Sequence, residues 1–423
     1  MAEAFIIDAV RTPRSIGKLG KGALSHMHPQ HVAATVLKAL KDRNNLNTAE
    51  VDDVIWGTSA QFDNQGGDLG RMAALDAGFD VKASGVTLDR FCGSGITATS
   101  LAAAQIMSGM EDLVIAGGTE MMSQVNDFGM KLMQAGLSKS TGLGSTNPRL
   151  QARHPQSNQG VCADAIAAME GISREDLEAF GVESQRRAGI AIAEGRFAKS
   201  IVPVEDDEGN VILDHDEYPR PDTTAETLAG MKPAFGALAD MPLGQDVPTY
   251  RQLINQKYPD LQFEAVHHVG TASGVVDGAA ALLLASEDYV KRSGLKPRAR
   301  IVATANIGDC PTLMLNAPVP AARKVLAKAG LTKDDIDVWE INEAFAVVAE
   351  KFIRDLDLDR SKVNAGGGAI ALGHPIGATG AVLIGTALDE LERSGGRYGL
   401  ITMCAAGGMA PAIIIERVAG RAE

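Results

Sequence analysis

Two distant stretches of the chain repeat one order of helix, capped turn and strand, and this repetition limits the fold more than any other feature. Residues 36–40 give an apolar helical stripe, and residues 46–56 a polar turn followed by a strand that ends at Trp56. Residues 325–339 run through the same order and also end on a tryptophan, Trp339. The likeness continues downstream. A glycine-rich turn and an alanine-rich helix lead to the apolar strand Leu113-Val114-Ile115-Ala116, expected to end in Gly117-Gly118. The glycine-rich segment 366–380 and a second helix lead to Leu400-Ile401-Thr402-Met403, followed by Gly407-Gly408. A duplicated α/β unit should place its functional groups where the copies meet. Strands alternating with helices predict mostly parallel sheets, covered on both faces.

A different kind of sequence separates the copies. Residues 123–264 hold methionine-rich and glycine-rich stretches (Met130, Met133, then 136–148) and turn-like segments at 206–210 and 218–222. They also hold a charged helix opening on the capping pattern Ser173-Arg174-Glu175-Asp176. This reads as an inserted loop domain covering a site and making oligomer contacts. The expected division is 1–122 with 265–293, 123–264, and 294–423.

Composition narrows the function. Hydrophobic residues are 45% of the 423 and aromatics only 4%, so the core must be aliphatic. A net charge of -13 argues against nucleic-acid or anionic-membrane binding, which need a basic face. The four cysteines, Cys92, Cys162, Cys310 and Cys404, lack CxxC or metal-ligand spacing, which favours a reducing compartment without a disulfide framework or zinc site. The opening residues 1–7 carry no signal-peptide pattern, no segment has the uncharged length of a membrane span, and 419–423 is not a peroxisomal address. A cytoplasmic protein is expected.

Cys92 lies where a strand turns into the small-residue helix 96–107, so helix-terminal N–H groups should favour its thiolate. The plain alternative for one such cysteine is a small buried hydrophobe. Four more segments put polar residues at strand ends or turns, where open α/β sheets build sites. They are Trp339-Glu340-Ile341-Asn342-Glu343-Ala344-Phe345, Gly373-His374-Pro375-Ile376-Gly377-Ala378-Thr379-Gly380, Met403-Cys404-Ala405-Ala406-Gly407-Gly408, and residues 268–279 around Ser273. Taken singly, His374 could be structural, Asn342 a helix cap and Cys404 core packing.

Jointly the motifs CGSG (92–95), GGTEMMS (117–123), NEAF (342–345), GHPIGATG (373–380) and the late Cys404 resemble the thiolase family over essentially the whole chain. The linker 214–224 and Lys232-Pro233-Ala234-Phe235 match too. The overall likeness is to degradative 3-ketoacyl-CoA thiolases, including the thiolase subunit of bacterial trifunctional complexes. The resemblance implies an α/β fold of two duplicated halves in a five-layered α-β-α-β-α core, plus the loop domain. It implies that Cys92 attacks the 3-keto carbon after giving its proton to His374. The acetyl-CoA enolate oxygen would sit near His374 and a water held by Asn342. Cys404 would protonate the enolate and then activate incoming CoA. Backbone N–H groups of Cys92 and Ala406 would form a second oxyanion hole. Ser273 matches a pantetheine contact, Arg220 one near the adenosine phosphates, and Met314 and Phe345 the lining of the acyl thioester.

The implied partners are acyl-CoA and CoA, with CoA a co-substrate and no permanently bound cofactor. A homodimer or homotetramer follows from the family, as does a complex with an enoyl-CoA hydratase/3-hydroxyacyl-CoA dehydrogenase subunit. No nucleic acid, membrane span or metal is expected. Fatty-acid β-oxidation is the expected setting; the alternatives are a short-chain acetyl-CoA C-acetyltransferase and an inactive acyl-CoA-binding subunit.

The chain departs from the family at Ala405-Ala406, where glycine is common, at Asn158-Gln159, where a Met-Gly pair is common, and at Thr271-Ala272. The GxGxxA string at 366–371 also matches a dinucleotide fingerprint, without a surrounding βαβ unit. A decarboxylating ketosynthase would share the fold but not the combination of Cys404, NEAF and GHP. An activated Cys92 predicts faster iodoacetamide labelling than at Cys162 or Cys310.

Overall fold

The computed structural model describes residues 3–135, 147–244 and 246–418. Most of the glycine-rich run expected at 136–148 lies outside the described residues, as does the ending 419–423.

The strands that carry the architecture are β1 (Ala4–Arg11), β2 (Asp53–Gly57), β3 (Val86–Leu88), β4 (Leu113–Met121), β5 (Val276–Ser286), β6 (Ala299–Gly308), β7 (Val338–Ile341), β8 (Tyr398–Thr402) and β9 (Met409–Arg417). They order as β3-β2-β4-β5-β1 and as β6-β9-β8-β7, joined where β1 pairs with β6 through Phe5–Arg300 and Ile6–Ala299. One pairing scheme occurs twice. β2 is parallel to β4 as β7 is to β8, β4 antiparallel to β5 as β8 is to β9, and β5 antiparallel to β1 as β9 is to β6. Even the edge pair β2–β3 has a counterpart in a single parallel bridge between Trp339 and Val363. The repeat read from sequence is thus a repeat of structure.

The expectation of mostly parallel sheets is overturned. Only β2–β3, β2–β4 and β7–β8 are parallel among these pairs. The chain leaves β4 at Met121 and re-enters β5 opposite it, at Asp277, so β5 must run back. β8 returns as β9 through a short turn with no crossover helix, which enforces an antiparallel pair.

Helices α1 (Pro29–Arg43), α2 (Leu69–Asp76), α3 (Ser94–Ser108), α4 (Gln159–Glu170), α5 (Arg174–Ala193), α6 (Pro318–Ala329), α7 (Ala346–Leu356) and α8 (Ile376–Ser394) complete the core. Alternation along each strand sorts side chains between layers. Leu113 and Ile115 pack outward with Leu37 and Leu69 of α1 and α2. Val114 and Ala116 face inward, toward Ile96 of α3 and Ile384 of α8. In the second half Ile414 packs with Val325 and Phe352 of α6 and α7, while Ile413 and Ile415 face the central helices. The layers run helix, sheet, helix, sheet, helix, with α3 and α8 in the middle.

Residues 123–264 supply α4 and α5, the latter opened by the expected capping box of Ser173 and Asp176. This segment grips both halves. Asp216 accepts two hydrogen bonds from Arg11, at 2.7 and 2.8 Å, and one from the Arg14 amide at 2.8 Å. Ser184 on α5 donates to Glu343 at 2.6 Å.

Candidate active site

The site is set by how closely α3 and α8 approach at their first turns. A Cβ on Gly95 would lie 2.6 Å from the Ala381 nitrogen, and one on Gly380 only 2.2 Å from the Ile96 nitrogen. Two glycines therefore let the helices touch backbone to backbone. Cys92 stands just before α3 and His374 just before α8, so this crossing holds the segments that carry them against each other. The strand β4 also continues through Gly117 and Gly118 rather than ending there. A Cβ on Gly118 would lie 2.0 Å from the Gly377 carbonyl oxygen, so that glycine exists to seat the His374 turn. Glu120 on the same strand accepts from the Gly377 amide at 2.9 Å.

Hydrogen bonds fix the tautomer of His374. The Thr379 hydroxyl donates to the Pro375 carbonyl at 3.0 Å, and its oxygen lies 2.6 Å from His374 Nδ1. A hydroxyl has one proton, so Nδ1–H must donate to it, leaving Nε2 as an acceptor, here of the Asn342 Nδ2–H. Nε2 faces the Asn342 amide, whose Nδ2 is 3.4 Å away. Burial, then the nearby Arg14 charge, lowers the imidazole to about 4, so it is neutral at pH 7 and can accept a proton. Asn342 caps no helix, because α7 begins at Ala346 behind Phe345; its Oδ1 is buried without a partner.

The expected thiolate is not the resting state of Cys92. Burial, reinforced by the Glu120 carboxylate, raises this thiol to about 12 and outweighs the helix terminus. Cys404 lies near enough to feel it: burial first, then Cys92, raise its thiol as well. Cys310 behaves oppositely. Burial pushes it up, yet hydrogen bonds from Tyr258, the Leu313 backbone and Lys257 outweigh that and lower it. Lys257 Nζ sits 3.1 Å from its sulfur, which is half-buried, whereas Cys162 is fully buried and raised. These environments favour labelling of Cys310 before Cys92, the opposite of the order expected from sequence.

Neither the Cys92 nor the Ala406 N–H donates to an oxygen of another described residue. The departure at Ala405-Ala406 costs no strain, because Gly407 (φ 79°) and Gly408 (φ 78°) take the left-handed bends.

Four weaker candidates take distinct positions. Ser273 is half-buried on the loop that links the motifs: its amide donates to the Ala344 carbonyl at 3.0 Å, and the next carbonyl, of Gly274, accepts from the His374 amide at 2.8 Å. Arg220 is exposed and turns its guanidinium onto the carbonyls of Glu217, Tyr218 and Pro219. The Tyr218 ring covers Gly274, where a Cβ would meet it at 2.3 Å. Met314 and Phe345 are buried in one cluster with Cys404 and Ala406. Met314 holds φ at 67°, an uncommon value for a non-glycine residue.

Sequence reasoning quoted Thr379, Glu120 and Gln159 inside motifs without a role for them. Gln159, far away in the chain, is close enough to Cys92 to oppose slightly the rise of its thiol. The glycines at 366–368 are filled by protein: a Cβ on Gly368 would meet the Glu343 carboxylate at 2.3 Å, and one on Gly367 the Ser184 carbonyl oxygen at 2.7 Å. A pyrophosphate has no room there.

Comparison with known proteins agrees with this architecture. A model of the thiolase N-terminal domain matches residues 4–238, and one of the thiolase C-terminal domain matches 295–417. The chain belongs to the thiolase family. It is 40% identical to a beta-ketoadipyl-CoA thiolase of Acinetobacter baylyi, over 99% of this chain and 100% of that one. It is also 40% identical to a steroid 3-ketoacyl-CoA thiolase of Mycobacterium tuberculosis, over 99% and 95%. The crystal structure of the Bacillus anthracis acetyl-CoA acetyltransferase superposes with a TM-score of 0.80, at 33% identity and 99% coverage of both chains. The protein is thus an acyltransferase of the 3-ketoacyl-CoA thiolase type, using CoA as co-substrate. Among the described residues, no helix is long and apolar enough to cross a membrane, and no group of three or more His, Cys, Asp or Glu could hold a metal.

Proposed function

We propose that the protein cleaves 3-ketoacyl-CoA with CoA, releasing acetyl-CoA and an acyl-CoA shortened by two carbons. The neutral imidazole of His374, with its Nδ1–H committed to Thr379, carries this reading. His374 Nε2 takes the Cys92 proton as the sulfur bonds to the 3-keto carbon. The alkoxide formed there is held by the N–H groups of Cys92 and Ala406. The C2–C3 bond then breaks and its electron pair passes to C2 as an acetyl-CoA enolate. Its oxygen is held by protonated His374 and by water on Asn342. Cys404 protonates C2. The resulting Cys404 thiolate deprotonates incoming CoA, whose sulfur attacks the acyl-Cys92 thioester, and Cys92 leaves with the proton from His374.

Ser273 and Arg220 bind the pantetheine arm and the adenosine phosphates, and Met314 and Phe345 line the acyl group. Relatives named for beta-ketoadipyl-CoA and for steroid 3-ketoacyl-CoA support a setting wider than fatty-acid β-oxidation. A cytoplasmic homo-oligomer, alone or with a hydratase/dehydrogenase subunit, fits this role. The test is intact-protein mass spectrometry during turnover of 3-ketoacyl-CoA substrates. An acyl adduct on Cys92, absent in Cys92→Ser, is expected; thiolysis that persists in Cys92→Ser would refute the assignment.

A further inference from the structure

The peptide that joins Gly373 to His374 is held at both of its polar ends. Its N–H, on His374, donates to the Gly274 carbonyl at 2.8 Å, and its carbonyl, on Gly373, accepts from Arg14 Nη1 at 3.3 Å. Gly373 holds φ at 94°, and a Cβ there would lie 2.4 Å from the Val276 side chain, so only glycine lets the chain enter His374 this way. Arg14 arrives buried from the turn after β1, its amide donating to Asp216 at 2.8 Å. Its stem and the Pro375 ring meet over Gly278, where a Cβ would lie 3.6 and 3.5 Å from them. A buried guanidinium is thus built into the turn that carries His374.

The charge of Arg14 is incompletely balanced. Burial, then Arg11, lower its guanidinium only to about 10, so it stays charged at pH 7. Asp216 is already bidentate to Arg11, so one carboxylate serves two guanidiniums. The other titratable groups on the elements around the turn are Glu120 of β4, Asp277 of β5, Glu340 of β7, Glu343 just beyond it, and the thiols of Cys92 and Cys404. Burial raises all six, which favours their uncharged forms. The imidazole of His374 feels the excess: after burial, Arg14 is what lowers it. A positive charge there keeps the imidazole an open base, and it makes an imidazolium formed during the reaction a readier proton donor.

Resting on the thiolysis reading, we propose that Arg14 is a positioning residue of the reaction, fixing the Gly373–His374 peptide through its Nη1–H and holding His374 in its base form through its charge. The experiment compares pH profiles of kcat and kcat/KM for thiolysis of 3-oxohexanoyl-CoA by the wild type, Arg14→Lys, Arg14→Gln and Arg14→Met. Lysine keeps the charge, glutamine keeps a donor without the charge, and methionine keeps neither. The acid limb of kcat/KM reports the base of the free enzyme. It should move up by about one pH unit or more in Arg14→Gln and Arg14→Met, and stay near the wild-type position in Arg14→Lys. At about pH 8, Arg14→Met should lose about tenfold or more in kcat with KM for CoA little changed, and Arg14→Gln should lose less. A merely structural role would lower kcat at every pH without moving the limb. Acid limbs that coincide for Arg14→Lys and Arg14→Gln overturn the proposal even if Arg14→Met fails to fold, as does a kcat for Arg14→Met within about twofold of the wild type. A wild type that cleaves neither this nor any other 3-ketoacyl-CoA would bring down the thiolysis reading itself, and this inference with it.

Discussion

A thiol raised to about 12 and an imidazole lowered to about 4 both rest uncharged near pH 7. Burial dominates both shifts, and it favours neutral forms whatever their sign of charge. Cys92 alkylation by iodoacetamide without substrate should therefore rise about tenfold per pH unit from 7 to 10, because the thiolate fraction does. Peptide mapping across that range checks this, and a plateau beginning near pH 6 would instead reveal a resting thiolate–imidazolium pair. At pH 7 Cys310 should be labelled before Cys92, since it is more exposed and its thiol is lowered. Thr379 acts through His374. Replacing it with valine removes the acceptor for Nδ1–H, lets the wrong tautomer compete, and should cut kcat about 10²-fold with KM little changed.

Between elements, the decisive contact is the glycine crossing of α3 and α8. A methyl at Gly95 meets backbone of the other helix, which has no side chain to rotate away. Gly95→Ala should cost roughly 1–3 kcal/mol of stability by overpacking. It should also lower activity, because separating Cys92 from His374 by about 1 Å can cost around 10²-fold in rate. Gly129, inside the helix Met122–Gln134, has nothing within 4 Å of an added Cβ. Gly129→Ala should be neutral to stabilising by up to about 1 kcal/mol. Thermal unfolding of the two variants side by side checks the contrast; equal effects would show that the crossing is not tight.

Across the whole molecule, the 123–264 segment is clamped to the first half by Asp216. Burial opposes its charge, yet Arg11 and Arg14 overcome that and bring its carboxyl down to about 2 from an ordinary value near 3.8. The folded pKa lies below the unfolded one, so the unfolded chain binds the extra proton at low pH. This contribution is complete above about pH 4 and is lost as pH falls through about 2. Asp216→Asn leaves Arg11 and Arg14 without their carboxylate. It should destabilise by about 3–5 kcal/mol at pH 7, with the difference from wild type shrinking toward pH 2. Denaturant titrations at several pH values test both parts.

Much of this was legible in the residues. The helix–turn–strand repeat ending at Trp56 and Trp339 is local and set by periodicity, and it reappears as one pairing scheme in both halves. The motifs around Cys92, Asn342, His374 and Cys404 carried the family, because turn chemistry and reactive side chains are written in short strings. What only the tertiary structure decided depends on neighbours distant in the chain. Strand direction followed from where the insertion returns to β5, and Gly118 serves the Gly377 turn rather than a strand end. The resting charges of Cys92 and His374 followed from burial. Periodicity and motif fix what a segment can become; desolvation and contact are summed over every segment around a group, and no single stretch contains that sum.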